Sequence, residues 1–152
     1  MRSLNLCRAK NIQSREWVVG YYVLCDNKHY IKNGDNLNKG WNLIDENTLC
    51  KYCGIDDVCN QMAFEGDILE EKTYDYFQNL TFVDYYVLRY PANHYGFVLQ
   101  TVQHYVQTNP KNQGYCIPRK VSKMKIIGNI IDNSSLLNCL AEQPRVFNEK
   151  AE

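Results

Sequence analysis

Three cysteines stand close enough in the chain to suggest chemistry: Cys50, Cys53 and Cys59, in the spacing Cys-x2-Cys-x5-Cys. A Cys-x2-Cys turn presents two thiolates to Zn²⁺ at about 2.3 Å, and a third thiol nearby invites a site. A structural zinc takes a fourth ligand, which here would have to be Cys25, His29, His94 or Cys116. No second Cys-x2-Cys exists. Reduced cysteines in a loop and strand, with no common role, account for the spacing more simply. Neither a metal nor another cofactor is therefore expected. A redox Cys-x-x-Cys is not expected either, since no βαβ pattern surrounds it.

Acyl-transfer chemistry requires a nucleophile, a base and a group that orients the base. His29, His94 and His104 lie in or near tyrosine-rich stretches, and no G-x-S-x-G accompanies them. Each reads as a surface or hydrogen-bonded imidazole. Neither glycine-rich phosphate cradle, G-x-x-x-x-G-K-[ST] or G-x-G-x-x-G, is present. Glu65, Asp67, Glu70 and Glu71 form an acidic group, but their spacing matches no defined cation loop. It also gives no reason to assign glycosidase carboxylates, so a solvated strand edge is the simpler reading. No enzymatic activity is expected.

The one basic cluster is Arg119, Lys120, Lys123 and Lys125, close to Tyr115. Basic residues beside exposed aromatics on a β-barrel face can hold single-stranded nucleic acid through charge and stacking. The competing reading is a solvated loop before the last strand. The charge balance favours it: Lys+Arg and Asp+Glu are 17 each, so the chain has no net field that would draw phosphate.

The elements that would position these residues follow from composition and pattern. At 152 residues, one domain is the expectation, spanning 1–144, with residues 145–152 as a frayed tail. Twelve tyrosines, five phenylalanines and two tryptophans favour pleated, half-buried surfaces and interfaces. The start carries no apolar signal region, and the longest apolar run, Trp17 to Cys25, is about half of the ~20 residues that span a bilayer. A cytoplasmic protein with reduced thiols and no membrane contact is expected.

The dense run Trp17–Leu24 predicts a buried strand, with Gly20 marking a bulge or a close backbone approach. Residues 26–40 are rich in Asp, Asn, Lys and Gly and predict a loop, interrupted only by His29-Tyr30-Ile31. Gly66-Asp67 predicts a turn that feeds a strand through Leu69. Residues 97–106 fit both periodicities, and strand is preferred. Asn109–Gly114 predicts a loop, and Lys125–Ile131 a strand. Asp132 or Asn133 can cap a short helix carrying Leu136, Leu137 and Leu140, ended by Pro144.

Three segments together resemble one family. Leu6–Lys10 followed by Glu16-Trp17-Val18-Val19-Gly20-Tyr21 is similar to an F-R-A-K…E/K-W-V-Y-G-Y opening. A second pattern, T-V-G-Q-Y-T-G-L-x-D-x-x-G-x-x-I-F-E-G-D-I-V, is met at Thr48, Tyr52, Gly54, Asp57, Phe64, Glu65, Gly66, Asp67 and Ile68. A third, V-I-G-N-I-Y-D-N-P-E-L-L, is met at Ile127, Gly128, Asn129, Ile130, Asp132, Asn133 and Leu137. These resemble the YopX family of phage and prophage proteins. The resemblance implies a cytoplasmic homo-oligomer without an assigned activity, acting on an unknown phage or host protein. Cys50, Cys53 and Cys59 replace Gly, Thr and Asn of that pattern. Asn60 replaces a turn Gly, which left-handed geometry permits.

The expected fold is α+β and mainly β: small twisted or barrel-like antiparallel sheets with a short C-terminal helix. The Trp17–Leu24, Gly66–Leu69 and Ile126–Ile131 strands are expected to share its core. The expected function is a self-associating accessory protein acting through protein contacts, with nucleic-acid binding at Arg119, Lys120, Lys123 and Lys125 as the alternative.

Overall fold

The computed structural model describes residues 5–91, 96–107, 115–116 and 118–143, those at 115–119 by their backbone alone. The strands are β1 (Leu6–Lys10), β2 (Trp17–Cys25), β3 (Lys28–Lys32), β4 (Trp41–Leu43), β5 (Cys50–Asp56), β6 (Met62–Phe64), β7 (Asp67–Tyr74), β8 (Leu80–Arg89), β9 (Val98–Thr101), β10 (Tyr115–Cys116) and β11 (Lys125–Asn129). Two helices join them, α1 (Val102–Val106) and α2 (Ser134–Ala141), with 3-10 turns at Glu46–Thr48 and Pro118–Lys123. One antiparallel sheet has the order β4-β3-β2-β1-β5-β6 and the other β10-β9-β8-β7-β11. The mainly-β class with a short C-terminal helix is as expected, and neither sheet closes into a barrel. The chain divides into two compact units, Met1–Gly54 and Ile55–Glu152, with the boundary inside β5.

In the first unit, Gly20 is the close approach its position suggests. A Cβ there would strike the carbonyl of Lys32 and lie 3.0 Å from Ile31 Cγ2. Beneath that approach, Cys7, Ala9, Ile31 and Ile44 form the core, with Val18 and Leu49 packed on it. The predicted loop over 26–40 is instead largely a hairpin. Asp26 and Asn27 alone turn the chain, with φ of 49° and 59°, and Cys25 pairs with Lys28 across them. Two consecutive positive φ values make a type I′ turn, which Asp and Asn tolerate better than other side chains. Thr48 ties the 3-10 turn to β1: its Oγ1 accepts from Lys10 N at 2.8 Å and donates to Asp45 O at 2.7 Å.

In the second unit, the centre of the sheet is covered on both faces, because the consecutive pairs Ile68-Leu69 and Val87-Leu88 are all fully buried. On one face Ile68 and Val87 pack with Val102, Leu137 and Leu140 of the two helices. The strand expected over 66–69 begins at Asp67 and continues to Tyr74, with Gly66 turning the chain at φ 86°. It pairs with β11 as expected, but the Trp17–Leu24 strand does not share that core: Val18 packs in the first unit, Ile68 and Ile127 in the second.

Two boundaries differ from the pattern. Residues 98–106 are strand and then helix, because Thr101 caps α1 by accepting from His104 N. The last strand stops at Asn129, whose Oδ1 accepts from Ile131 N and Asp132 N at 3.0 and 2.8 Å and so bends the chain. Asn133 occupies the cap position of α2, but its Oδ1 turns back to accept from Asn129 N at 3.1 Å. The loop expected at 109–114 and the tail at 145–152 lie outside the described residues.

Candidate functional site

The cysteine spacing falls on a strand rather than a turn. Cys50 and Cys53 are three residues apart in β5, so alternation directs them to opposite faces. Cys50 is buried and its Sγ donates to Thr48 O, while Cys59 is exposed beyond the strand. Among the described residues, no three His, Cys, Asp or Glu side chains gather where a metal ion could be held. His94 and the side chain of Cys116 lie outside the described residues.

His29 has a partner at each ring nitrogen: Tyr22 Oη at 2.7 Å from Nδ1 and Glu46 Oε2 at 2.6 Å from Nε2. His104 Nδ1 lies 2.7 Å from Thr101 Oγ1, inside the cap of α1. The acidic group is dispersed by the strand it sits on. Asp67 is fully buried and accepts from Phe64 N at 2.8 Å, closing the turn into β7. Glu70 lies 3.6 Å from Lys72 and directly opposite Lys125 on β11, and Glu71 lies 3.9 Å from Lys120. Lys120, Lys123 and Lys125 are all exposed. Two of the cluster's lysines thus face carboxylates, and the surface there is mixed in charge rather than basic. The side chain of Arg119 lies outside the described residues. Tyr85, across β7 from Glu70, has its phenol pKa pushed up, first by burial and then by the Glu70 charge.

One surface has no counterpart among the residues singled out by motif. β11 accompanies β7 only as far as Glu70, and β9 accompanies β8 only as far as Tyr86. Beyond those points β7 and β8 pair with each other alone, as a two-stranded arm from residue 71 to 85. Its loop is fixed by Asp75. Oδ1 of Asp75 accepts from Phe77 N at 2.9 Å and from Asn79 N at 2.8 Å, and Asp75 N donates to Asn79 O at 2.8 Å. Gln78 takes φ 63° to complete the turn. The loop so held presents Tyr76 at 93% and Phe77 at 80% exposure, packed edge to face with ring centroids 5.6 Å apart. Tyr74 and Phe82 extend the exposed aromatic surface along the arm.

The family model described as YopX protein matches residues 6–138. The chain belongs to the YopX family. No curated protein matches it. In this YopX family member, several residues that carry the resemblance hold backbone together. Asp57 is buried and accepts from Cys59 N and Gln61 N at 2.9 Å and from Ile126 N at 3.0 Å. Asn60, in place of the pattern's Gly, takes φ 61°, the left-handed conformation that both residues tolerate. Gly128 leaves room for Asn133, whose Oδ1 would lie 2.7 Å from a Cβ there. The YopX signature over these positions therefore reports turns and caps. The arm's signal is of another kind: Asp75 and Asn79 bracket two aromatic residues where polar ones would suffice. Among the described residues, no helix is long and apolar enough to cross a membrane.

Proposed function

We propose that this YopX family member is a non-enzymatic protein that works through protein contacts, and that the β7–β8 arm joins it to a second copy of itself. The observation that carries this is the pair of solvated rings, Tyr76 and Phe77, on a loop whose conformation Asp75 sets in advance. Rings held ready on a rigid turn lose little entropy on docking, and aromatics of this kind dominate protein interfaces.

The magnitudes favour a symmetric contact. Burying two large rings removes on the order of 300 Å² from water, about 7 kcal/mol at ~25 cal/mol per Å². Association costs roughly 4–15 kcal/mol, so one tip alone is not enough. Two arms meeting about a twofold axis double the apolar gain and bring their open strand edges within pairing reach. The phage or prophage setting and cytoplasmic location implied by the resemblance fit such an accessory role. The alternative at Arg119, Lys120, Lys123 and Lys125 is less favoured, because Glu70 and Glu71 offset Lys125 and Lys120.

Light scattering over a concentration series tests the reading. The wild-type chain should show a dimer mass, and Tyr76→Ser with Phe77→Ser should shift it to monomer without lowering the melting temperature. A wild-type monomer at every concentration, or a double variant of unchanged mass, would overturn it.

A further inference from the structure

We infer that the face of β1–β4 bearing both tryptophans is a binding surface for single-stranded nucleic acid. Residues directly opposite one another in an antiparallel pair share a face. Lys10 lies opposite Trp17 and Arg8 opposite Val19. Tyr21 lies opposite Lys32, and Lys32 opposite Trp41. Two-residue steps along β2 join Trp17, Val19 and Tyr21, so all these residues stand on one side of the sheet. The reverse side carries the buried Cys7, Ala9 and Ile31.

The side-chain contacts agree with the register. Arg8 and Lys10 lie over the Trp17 ring, at 4.7 and 5.4 Å from its centroid. Lys32 lies 5.9 Å from the centroid of Trp41, which Tyr30 meets edge-on. Tyr21 is 50% and Trp41 45% exposed, so the rings are open to a ligand. Lys32 Nζ donates to the carbonyls of Asn33 and Gly34, neutral acceptors that hold the ammonium in place without cancelling its charge.

Charge selects the ligand. No position of β1–β4 holds Asp or Glu, and the five carboxylates between residues 5 and 54 (Glu16, Asp26, Asp35, Asp45, Glu46) all lie in turns. The zero net charge of the chain thus conceals a segregation. A sheet face that alternates cations with exposed aromatic rings matches a polyanion whose bases can unstack onto the rings while phosphates meet the cations. A duplex keeps its bases stacked internally and cannot use the rings, which points to a single strand.

The test uses the whole chain and a labelled oligo-deoxythymidine at low salt, followed by anisotropy and by tryptophan emission. Trp17 and Trp41 are the chain's only tryptophans, so stacking on this face should quench emission as anisotropy rises. Affinity should fall with salt at a log–log slope of roughly 0.7 per phosphate neutralised. Lys10→Gln with Lys32→Gln should lower that slope by about 1.4. Tyr21→Ser should weaken binding about tenfold, and Tyr21→Phe, which keeps the ring, should restore it. Tyr76→Ser with Phe77→Ser should leave the low-salt affinity of the monomer in place, which separates this face from the arm. The inference is overturned by the absence of binding at low salt or by binding without quenching. Equal affinity for a duplex would overturn it too, as would loss of binding in Lys123→Ala with Lys125→Ala but not in Lys10→Gln with Lys32→Gln.

Discussion

The arm of the second unit and the open face of the first both expose aromatic rings, and they differ in what surrounds those rings. On the β1–β4 face, Arg8, Lys10 and Lys32 stand over or beside Trp17 and Trp41, with no carboxylate on the strands. On the arm, Glu71, Asp75 and Asp84 accompany Tyr74, Tyr76, Phe77 and Phe82, and Lys72 is the one cation between residues 71 and 85. A stacked ring with a cation is suited to an anionic, π-rich ligand, whereas a bare ring on a carboxylate-flanked turn is suited to another protein's apolar surface. Aromatic content alone, which is what a composition records, does not separate the two.

The largest expected effect tests whether the two regions rest on separate cores. Ile68→Ala removes a fully buried side chain beneath the arm and should cost about 2–5 kcal/mol, read by circular dichroism during urea unfolding. Gly20→Val acts on the other region by forcing a side chain against the Lys32 carbonyl, and should destabilise the first unit by roughly 1–3 kcal/mol. Because both tryptophans lie in the first unit, emission should register Gly20→Val directly, and a variant that moves only circular dichroism would separate the cores.

A smaller effect sharpens the role of the arm's turn. Asp75→Ala leaves Phe77 N and Asn79 N without their acceptor, worth about 1 kcal/mol locally. Amide exchange at those two residues should accelerate, and the dimer mass should weaken while the melting temperature holds. The smallest effect is electrostatic. Hydrogen bonds from the Arg15 guanidinium and from Asn47 N hold the Asp45 carboxyl below its ordinary value. Its contribution is therefore present above the ordinary carboxylate pKa and lost as pH falls through the lowered one. Arg15→Gln should flatten the acid limb of a stability–pH curve for the first unit and leave neutral pH unchanged.

Much of the first unit was readable from residue type. Val18, Val19, Tyr21 and Val23 announce β2, and the Gly20 approach follows from a glycine in a run with no other reason for one. Asp26-Asn27 was harder, because the same residues that make a loop polar also make the tightest hairpin turn, and only the pairing of Cys25 with Lys28 distinguishes them. The switch at Thr101 was hidden for a similar reason: Val98 and Val102 satisfy a strand and a helix equally, and the cap at His104 N decides between them. Of the candidate site residues, Lys120 and Lys125 were found as a cluster, but their opposite charges sit on β7, roughly fifty residues earlier, where no local pattern reveals them. The arm and the cationic face are products of register, which adjacency in the chain does not encode.

Asp57 has a consequence for the order in which the second unit is assembled. Its carboxylate completes the 57–61 turn locally, yet its third donor, Ile126 N, is 69 residues away. Closing so long a loop costs chain entropy that short-range pairing does not, so non-local contacts of this kind form slowly. During synthesis β7 and β8 pair first, and the outer edge of β7 stays open until β11 emerges. The same late segment satisfies Asp57 and seals that edge, so β11 acts as the closing stroke of the fold, and a nascent chain halted before Lys125 exposes a free sheet edge to its neighbours.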